Sequence, residues 1–178
     1  MLLLVREMDR DVVSHNPGTL MLPTFVRKAT LEDAVTVAAR IRPADRDECM
    51  AATGLPPEVI LPAYIEDGRC CMAAGLQHDN RAEILFGIDP IVGHPRCGII
   101  WLVSTPRIEE HPVEFVVMTK RLLADFHKDY DLLTNFIDER NTRHLQWLKW
   151  MGFMLLRRVE KFGAESRPFI EFASFNVP

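Results

Sequence analysis

The chain has 178 residues, 48% of them hydrophobic and 26% charged, with a net charge of -4. That length fits one domain with its own core, and the acidic balance argues against a protein that holds nucleic acid by bulk electrostatics. No apolar run approaches the roughly 20 residues of a membrane span. The start, MLLLVREMDR, meets Arg6 and Glu7 at once, whereas a signal peptide places charge first and then about 7–15 apolar residues. The expectation is a soluble protein, not secreted by the usual route, with no membrane partner.

Residues 1–24 read as an extension: apolar stretches on both sides of the turn sequence HNPG suggest two short strands or an arm. Thr24 to Arg27 then reads as a strand. Thr30 suits a helix N-cap with Asp33 at N3, and Ala34, Val35, Val37, Ala38 and Ile41 supply the apolar stripe of the helix it opens. Pro43 interrupts that helix. A second piece, Asp45 to Ala52, stops at Gly54, and Pro56-Pro57 opens a third that runs to about Ile65.

The period then changes. Arg69 to Leu76, Ala82 to Ile88 and Gly98 to Ser104 are short apolar runs separated by HDN and DPIVGHP, the pattern of an antiparallel meander. Pro112 opens a long helix with Phe115, Met118, Leu122 and Phe126 on one stripe. Leu132 to Ile137 is a strand, Asn141 to Met151 a helix, and Phe153–Val159 with Phe169–Phe175 a hairpin across GAESRP. The order predicts an α+β fold with a mixed, mostly antiparallel sheet flanked by helices. The crossover from Gly98–Ser104 through the long helix should make its two strands parallel neighbours or nearly so.

The four cysteines, Cys49, Cys70, Cys71 and Cys97, lack C-x-x-C spacing. Cys70 and Cys71 would point to opposite faces of a strand, so all four read as small buried hydrophobes in a reducing compartment, with no metal. The clusters Arg140, Arg143, His144 and Arg157, Arg158, Lys161 read as solvated faces.

The stretch NTRHLQWLKWMGF, Asn141 to Phe153, resembles the helix motif of the GNAT superfamily of N-acetyltransferases, in which Asn, Ala, a Leu-Tyr pair and Gly-Phe follow in one helix. Asn141 and Gly152-Phe153 keep the spacing, while His144, Trp147 and Leu148 replace the Ala, Leu and Tyr. RKATLEDA, Arg27 to Ala34, resembles that superfamily's first strand and helix start. The resemblance covers residues 25–178 and implies a GNAT-like domain. More narrowly, IIWLVSTP, then a long helix, then NFIDERNTRHLQWLKWMGF is similar to the GNAT-like internal virion protein A group of short-tailed phages. That implies other virion proteins as partners and a place in the virion or host cytoplasm.

Such an enzyme requires a pyrophosphate cradle, a general acid and a general base. Bare N–H groups at a helix start cradle phosphates best where glycines permit close approach, yet no glycine occurs from Ile99 to Met151. Glu109, Glu110, His111 and Pro112 stand there instead; the two acids suit the positive end of the following helix, and Pro112 removes a donor. Leu148 cannot donate a proton to a departing thiolate, and with His144, Trp147 and Met151 it reads as core packing. His144 is the weak substitute acid. Glu83 and Asp89 are candidate bases by position only, more simply read as solvent-side or turn residues. Asn141 is expected to cap its helix through its side chain.

The expectation is therefore a GNAT-like protein with a degenerate acetyl-CoA site and no cofactor, an internal virion, assembly or ejection-related protein. The alternative is an active N-acetyltransferase that moves an acetyl group from acetyl-CoA to an amine through a divergent loop. In that case Leu102, Val103, Ser104 and Asn141 would hold the cofactor. Trp150, facing away from the buried stripe, marks either a contact surface or a singly exposed tryptophan.

Overall fold

The computed structural model describes residues 24–78 and 80–176. The expected arm therefore lies outside the described residues, apart from Thr24. Seven strands form one sheet in the order β1-β2-β3-β4-β5-β7-β6: β1 Thr24–Lys28, β2 Met72–Leu76, β3 Ile84–Ile91, β4 His94–Ser104, β5 Leu132–Asp138, β6 Met154–Phe162 and β7 Arg167–Phe175. Every neighbouring pair is antiparallel except β4 and β5. The helices are α1 Leu31–Ala38, α2 Pro43–Thr53, α3 Pro57–Glu66, α4 Pro112–Phe126 and α5 Thr142–Met151. The architecture is the expected α+β one.

Local chemistry accounts for the helix limits. The Thr30 side chain accepts from the Asp33 N–H at 3.2 Å, and the Asp33 carboxylate accepts from the Thr30 N–H at 2.8 Å. This reciprocal box starts α1. Val35, expected in the stripe, is 52% exposed. Ala34, Val37 and Ala38 already cover the inward arc, and Val35 falls outside it. Pro43, Pro57 and Pro112 each occupy the first turn of their helix, where a missing N–H costs nothing. Gly54 and Gly152 end α2 and α5 in the left-handed region, at φ 76° and 90°.

The meander departs from expectation in length. DPIVGHP is not a loop: β3 runs to Ile91 and β4 resumes at His94, so Val92-Gly93 alone makes the turn, with Gly93 at φ 82°. Pro90 is accommodated at the register shift beside it. Cys70 and Cys71 precede β2 instead of lying in it; Cys71 is buried as expected, but Cys70 is exposed. Glu109 and Glu110 sit on a separate 3-10 turn, Pro106–Glu110, so the acid in the first turn of α4 is Glu114.

Two packing layers flank the sheet. Under α1 and α3 lie Ala34, Val37, Ala38, Leu61, Ala73 and Leu85. On the other side Ile84, Phe86, Met118 and Leu122 pack beside Leu133, Ile137, Leu148 and Met151. The β6–β7 hairpin reaches round to α2: Ala164 and Glu165 donate backbone N–H groups to the Ala52 and Ala51 carbonyls at 3.2 and 3.0 Å. Gly163 permits this contact, since a Cβ there would lie 2.4 Å from the Ala51 oxygen. No described helix is long and apolar enough to cross a membrane.

Candidate functional site

The site arises where the sheet splits. β4 and β5 pair only over Cys97–Ile99 and Leu132–Thr134, then part company. Beyond that point the Asn135 Nδ2 donates to the Ile100 carbonyl at 2.9 Å, a side chain doing what a strand would otherwise do. Within a strand a residue's N–H and C=O point to the same side and alternate along the chain. Ile100 therefore fixes the parity: Leu102 and Ser104 also face the split. Ser104 is already engaged, its N–H donating to Asp45 at 3.0 Å and its carbonyl accepting from the Arg42 N–H at 2.9 Å. That leaves the Leu102 backbone as the open hydrogen-bonding pair on this edge.

The split opens into a cavity of about 450 Å³, within the size range of small-molecule sites. Its walls come from both sides of the sheet, with Glu48, Cys49 and Tyr64 on one side and Met118, Leu122 and Trp147 on the other. A second space of about 260 Å³ lies between α4 and α5. Leu102, His144 and Trp147 line both, so the two spaces share a wall.

Glu48 is the carboxylate that faces the large cavity from α2, and sequence reasoning passed over it. Its Oε2 accepts from the Asn141 Nδ2 at 3.0 Å, and the same nitrogen reaches Asp45 at 3.2 Å. Removal from water pushes the Glu48 carboxyl up to about 8; the Asn141 hydrogen bond opposes this, and the charges of Asp45 and Asp138 add to it. Glu48 thus holds its proton at neutral pH and titrates just above it, the range suited to a general base. The signal was available: Asp45 and Glu48 stand three apart in a helix, which sets two carboxylates side by side.

Asn141 is at the N-cap position but makes no side-chain cap; its backbone stands at φ -79°, ψ 60°. Its amide is spent across the site on Asp45 and Glu48, and the expected cap is corrected accordingly. His144 lies in the wall shared by the two spaces. Burial pushes its imidazole down to about 4, with Arg42 adding to that and Asp45 opposing it. A histidine neutral at pH 7 has no imidazolium proton to give a thiolate. Leu148 is 2% exposed and packed with Met151 and Phe153, as its spacing predicts.

The two positional bases separate. Glu83 is not on the solvent side: it is 3% exposed, accepts from Arg40 at 2.8 Å and from the Thr105 hydroxyl, and has Arg81 and Arg107 at 3.6 Å. It lines a separate space of about 30 Å³. Turn residues flank it in sequence, but arginines from distant segments converge on it and make its burial tolerable. Asp89 does border the large cavity, yet it already accepts from the Tyr64 hydroxyl and from Arg69. Tyr64, the tyrosine in that wall, is pushed up by burial and then by its bond to Asp89, and it also accepts from Trp101 at 2.8 Å. That phenol is held in place rather than poised to donate.

At the start of α4 an ion triad stands in place of a cradle. Glu109 is bound by Arg143 and lies 3.5 Å from Arg42, whose guanidinium is otherwise clamped on Asp45. Leu102 and Val103, expected to hold a cofactor, line the large cavity, whereas Ser104 lines the smaller space. Arginines of both basic clusters are ion-paired, while His144 lies in the cavity wall and not on the solvated face expected of it. Arg140 pairs with Asp138, Arg157 with Glu171, and Arg158 with Glu139 and Glu160.

No family model and no curated sequence matches the chain. Solved structures do. An acetyltransferase of the GNAT family from Bacillus anthracis is similar over 88% of this chain and 99% of its own, with a TM-score of 0.68 and 12% identity. A GNAT acetyltransferase from Streptococcus pneumoniae covers 86% and 99%, with a TM-score of 0.55 and 14% identity. The ribosomal-protein-S18-alanine N-acetyltransferase from Escherichia coli covers 88% and 96%, at 0.62 and 10%. Likeness at such low identity is a likeness of backbone alone, and on that ground the chain has the GNAT acetyltransferase fold.

Proposed function

We propose that this chain is a GNAT-like protein whose acetyl-CoA site is degenerate, serving as an internal virion, assembly or ejection-related protein of a phage. The observation that carries the degenerate site is the start of α4. Pro112 stands at its first turn, no glycine lies between Ile99 and Met151, and the carboxylate of Glu109 occupies the two nearby arginines. A pyrophosphate arriving there meets a carboxylate in place of bare donors. The acid is missing as well, since Leu148 cannot protonate a thiolate and His144 is neutral. The virion role, with other virion proteins as partners, draws its support from the sequence resemblance of IIWLVSTP and NFIDERNTRHLQWLKWMGF.

One observation favours the second reading, an active N-acetyltransferase with a divergent loop. The split between β4 and β5 stays open onto Leu102, with Glu48 facing the cavity behind it. In that reading Leu102 would meet pantetheine and Glu48 would take the proton of an amine.

Calorimetric titration with acetyl-CoA, backed by thermal shift, separates the two. The degenerate site predicts no heat and no shift. A ligand at 100 times its dissociation constant adds about 2.7 kcal/mol of stability, so a clear shift would overturn this reading.

A further inference from the structure

The two spaces that share a wall differ in character, and the difference specifies a ligand. The larger, about 450 Å³, is walled chiefly by Leu102, Met118, Leu122, Phe126, Phe136 and Phe162. The smaller, about 260 Å³, holds Arg42 and Arg143 with Glu109 between them. Arg42 is nearly fully buried, whereas Glu109 and Arg143 reach solvent. In the shared wall the Trp147 Nε1, a donor buried from solvent, has no hydrogen-bond partner. An unpaired buried donor is costly and calls for an acceptor.

We infer that the joined spaces bind a single-chain aliphatic carboxylate, its tail in the apolar cavity and its head on Arg42 and Arg143 in place of Glu109. The inference deepens the reading above and rests on it in one respect: the start of α4 is an exchangeable carboxylate site, not a pyrophosphate cradle. Glu109 is the internal stand-in for the ligand's head. Its exchange is close to neutral in charge, one carboxylate leaving two guanidiniums as another arrives. A head oxygen at the shared wall also gives the Trp147 Nε1 its missing acceptor. Tail burial then drives binding, and neither a protonated Glu48 nor a neutral His144 opposes an apolar chain.

Calorimetry of the full chain with hexanoate, octanoate, decanoate and decanol is the test. Each added methylene is worth about 0.8 kcal/mol, roughly fourfold in affinity, so each two-carbon step should tighten binding by about tenfold or more. Decanoate should outbind decanol. Glu109→Gln should tighten decanoate several-fold and leave decanol unchanged, and Arg143→Gln should weaken decanoate alone. Equal binding of decanol and decanoate, or no gain from Glu109→Gln, would overturn the inference. No heat with either decanoate or acetyl-CoA would overturn it too, while leaving the degenerate-site reading in place. Heat with acetyl-CoA sinks that earlier reading, and decanoate then decides this one by itself.

Discussion

Beneath α1 and α3 the sheet presents small side chains to small side chains. Ala34, Val37, Ala38, Ala73 and Leu85 have no exposed surface, and the layers meet closely. Beneath α4 and α5 the groups are larger: Phe86, Phe126, Trp147 and Phe153 border the 450 Å³ cavity without filling it, and from the first side Leu61 and Tyr64 of α3 reach it. The contrast is not one of hydrophobicity, since both faces are apolar. It comes from the sheet: β1 to β4 form a continuous surface, whereas β4 and β5 separate after Ile99 and Thr134. Helices can close over an unbroken sheet. Over a split one they rest on each side of the gap, and aromatic side chains meet between the helices, as Phe115 and Trp147 do with ring centres 5.2 Å apart and planes tilted by 33°.

The largest expected effect tests the closed face. Leu85→Ala removes a side chain with no solvent exposure from a layer of alanines that have little room to collapse inward. It should cost about 3 kcal/mol, in the usual range for such truncations. Urea unfolding would measure it, and a loss under about 1 kcal/mol would mean this face is no tighter than the other.

The next effect belongs to the cavity wall and is read through pH. Glu48 keeps its proton to about 8 against an ordinary 4.5, so between those values the folded state holds a proton the unfolded chain has lost, and stability falls as pH rises. His144, at about 4 against 6.5, acts the other way: across that range the unfolded chain is protonated and the folded one is not, so stability rises with pH. The two oppose each other below 6.5. From 6.5 to about 8 Glu48 acts by itself, with a downward slope of at most about 1.4 kcal/mol per pH unit. Melting temperature followed over that window should decline in the native protein and stay level in Glu48→Gln. A slope that survives in the variant would assign it to another group.

Legibility in the sequence follows the same division. Thr30 as the cap of α1, the prolines that open α3 and α4, and Gly152 after α5 rest on contacts within a few residues, and each was readable; Pro43 was read as an interruption, whereas it opens α2. Leu148 as packing followed from helical spacing alone. Asn141 was misread because its capping role is local, whereas its actual partners, Asp45 and Glu48, lie 96 and 93 residues away. Glu83 was misread for the same reason, its Arg40 partner being 43 residues distant. The split itself left no mark, because β4 continues as IIWLVS with the same residue types before and after its pairing with β5 ends. Glu48 went unnoticed although its spacing sets its carboxylate beside that of Asp45, because nothing nearby in sequence shows what that helix will face.

The smallest expected effect is the sharpest statement of the comparison. Enlarging a buried side chain in a filled core usually costs about 1–3 kcal/mol, because rotamers and backbone must give way. Leu122 is buried from solvent but borders the large cavity, so Leu122→Phe has space to enter, with a helix-propensity cost of only a few tenths of a kcal/mol. Its stability should stay within about 1 kcal/mol of the native protein. Ala38→Val, on the closed face with no exposed surface, should cost about 1–3 kcal/mol for a smaller gain in volume. Chemical unfolding of the pair decides whether the cavity is real space in solution. If Leu122→Phe proves as costly as Ala38→Val, the wall has collapsed inward, and the aliphatic chain inferred to lie there has nowhere to go. If it is tolerated, the same ring should shorten the longest carboxylate the protein accepts, which joins the stability of the wall to its use.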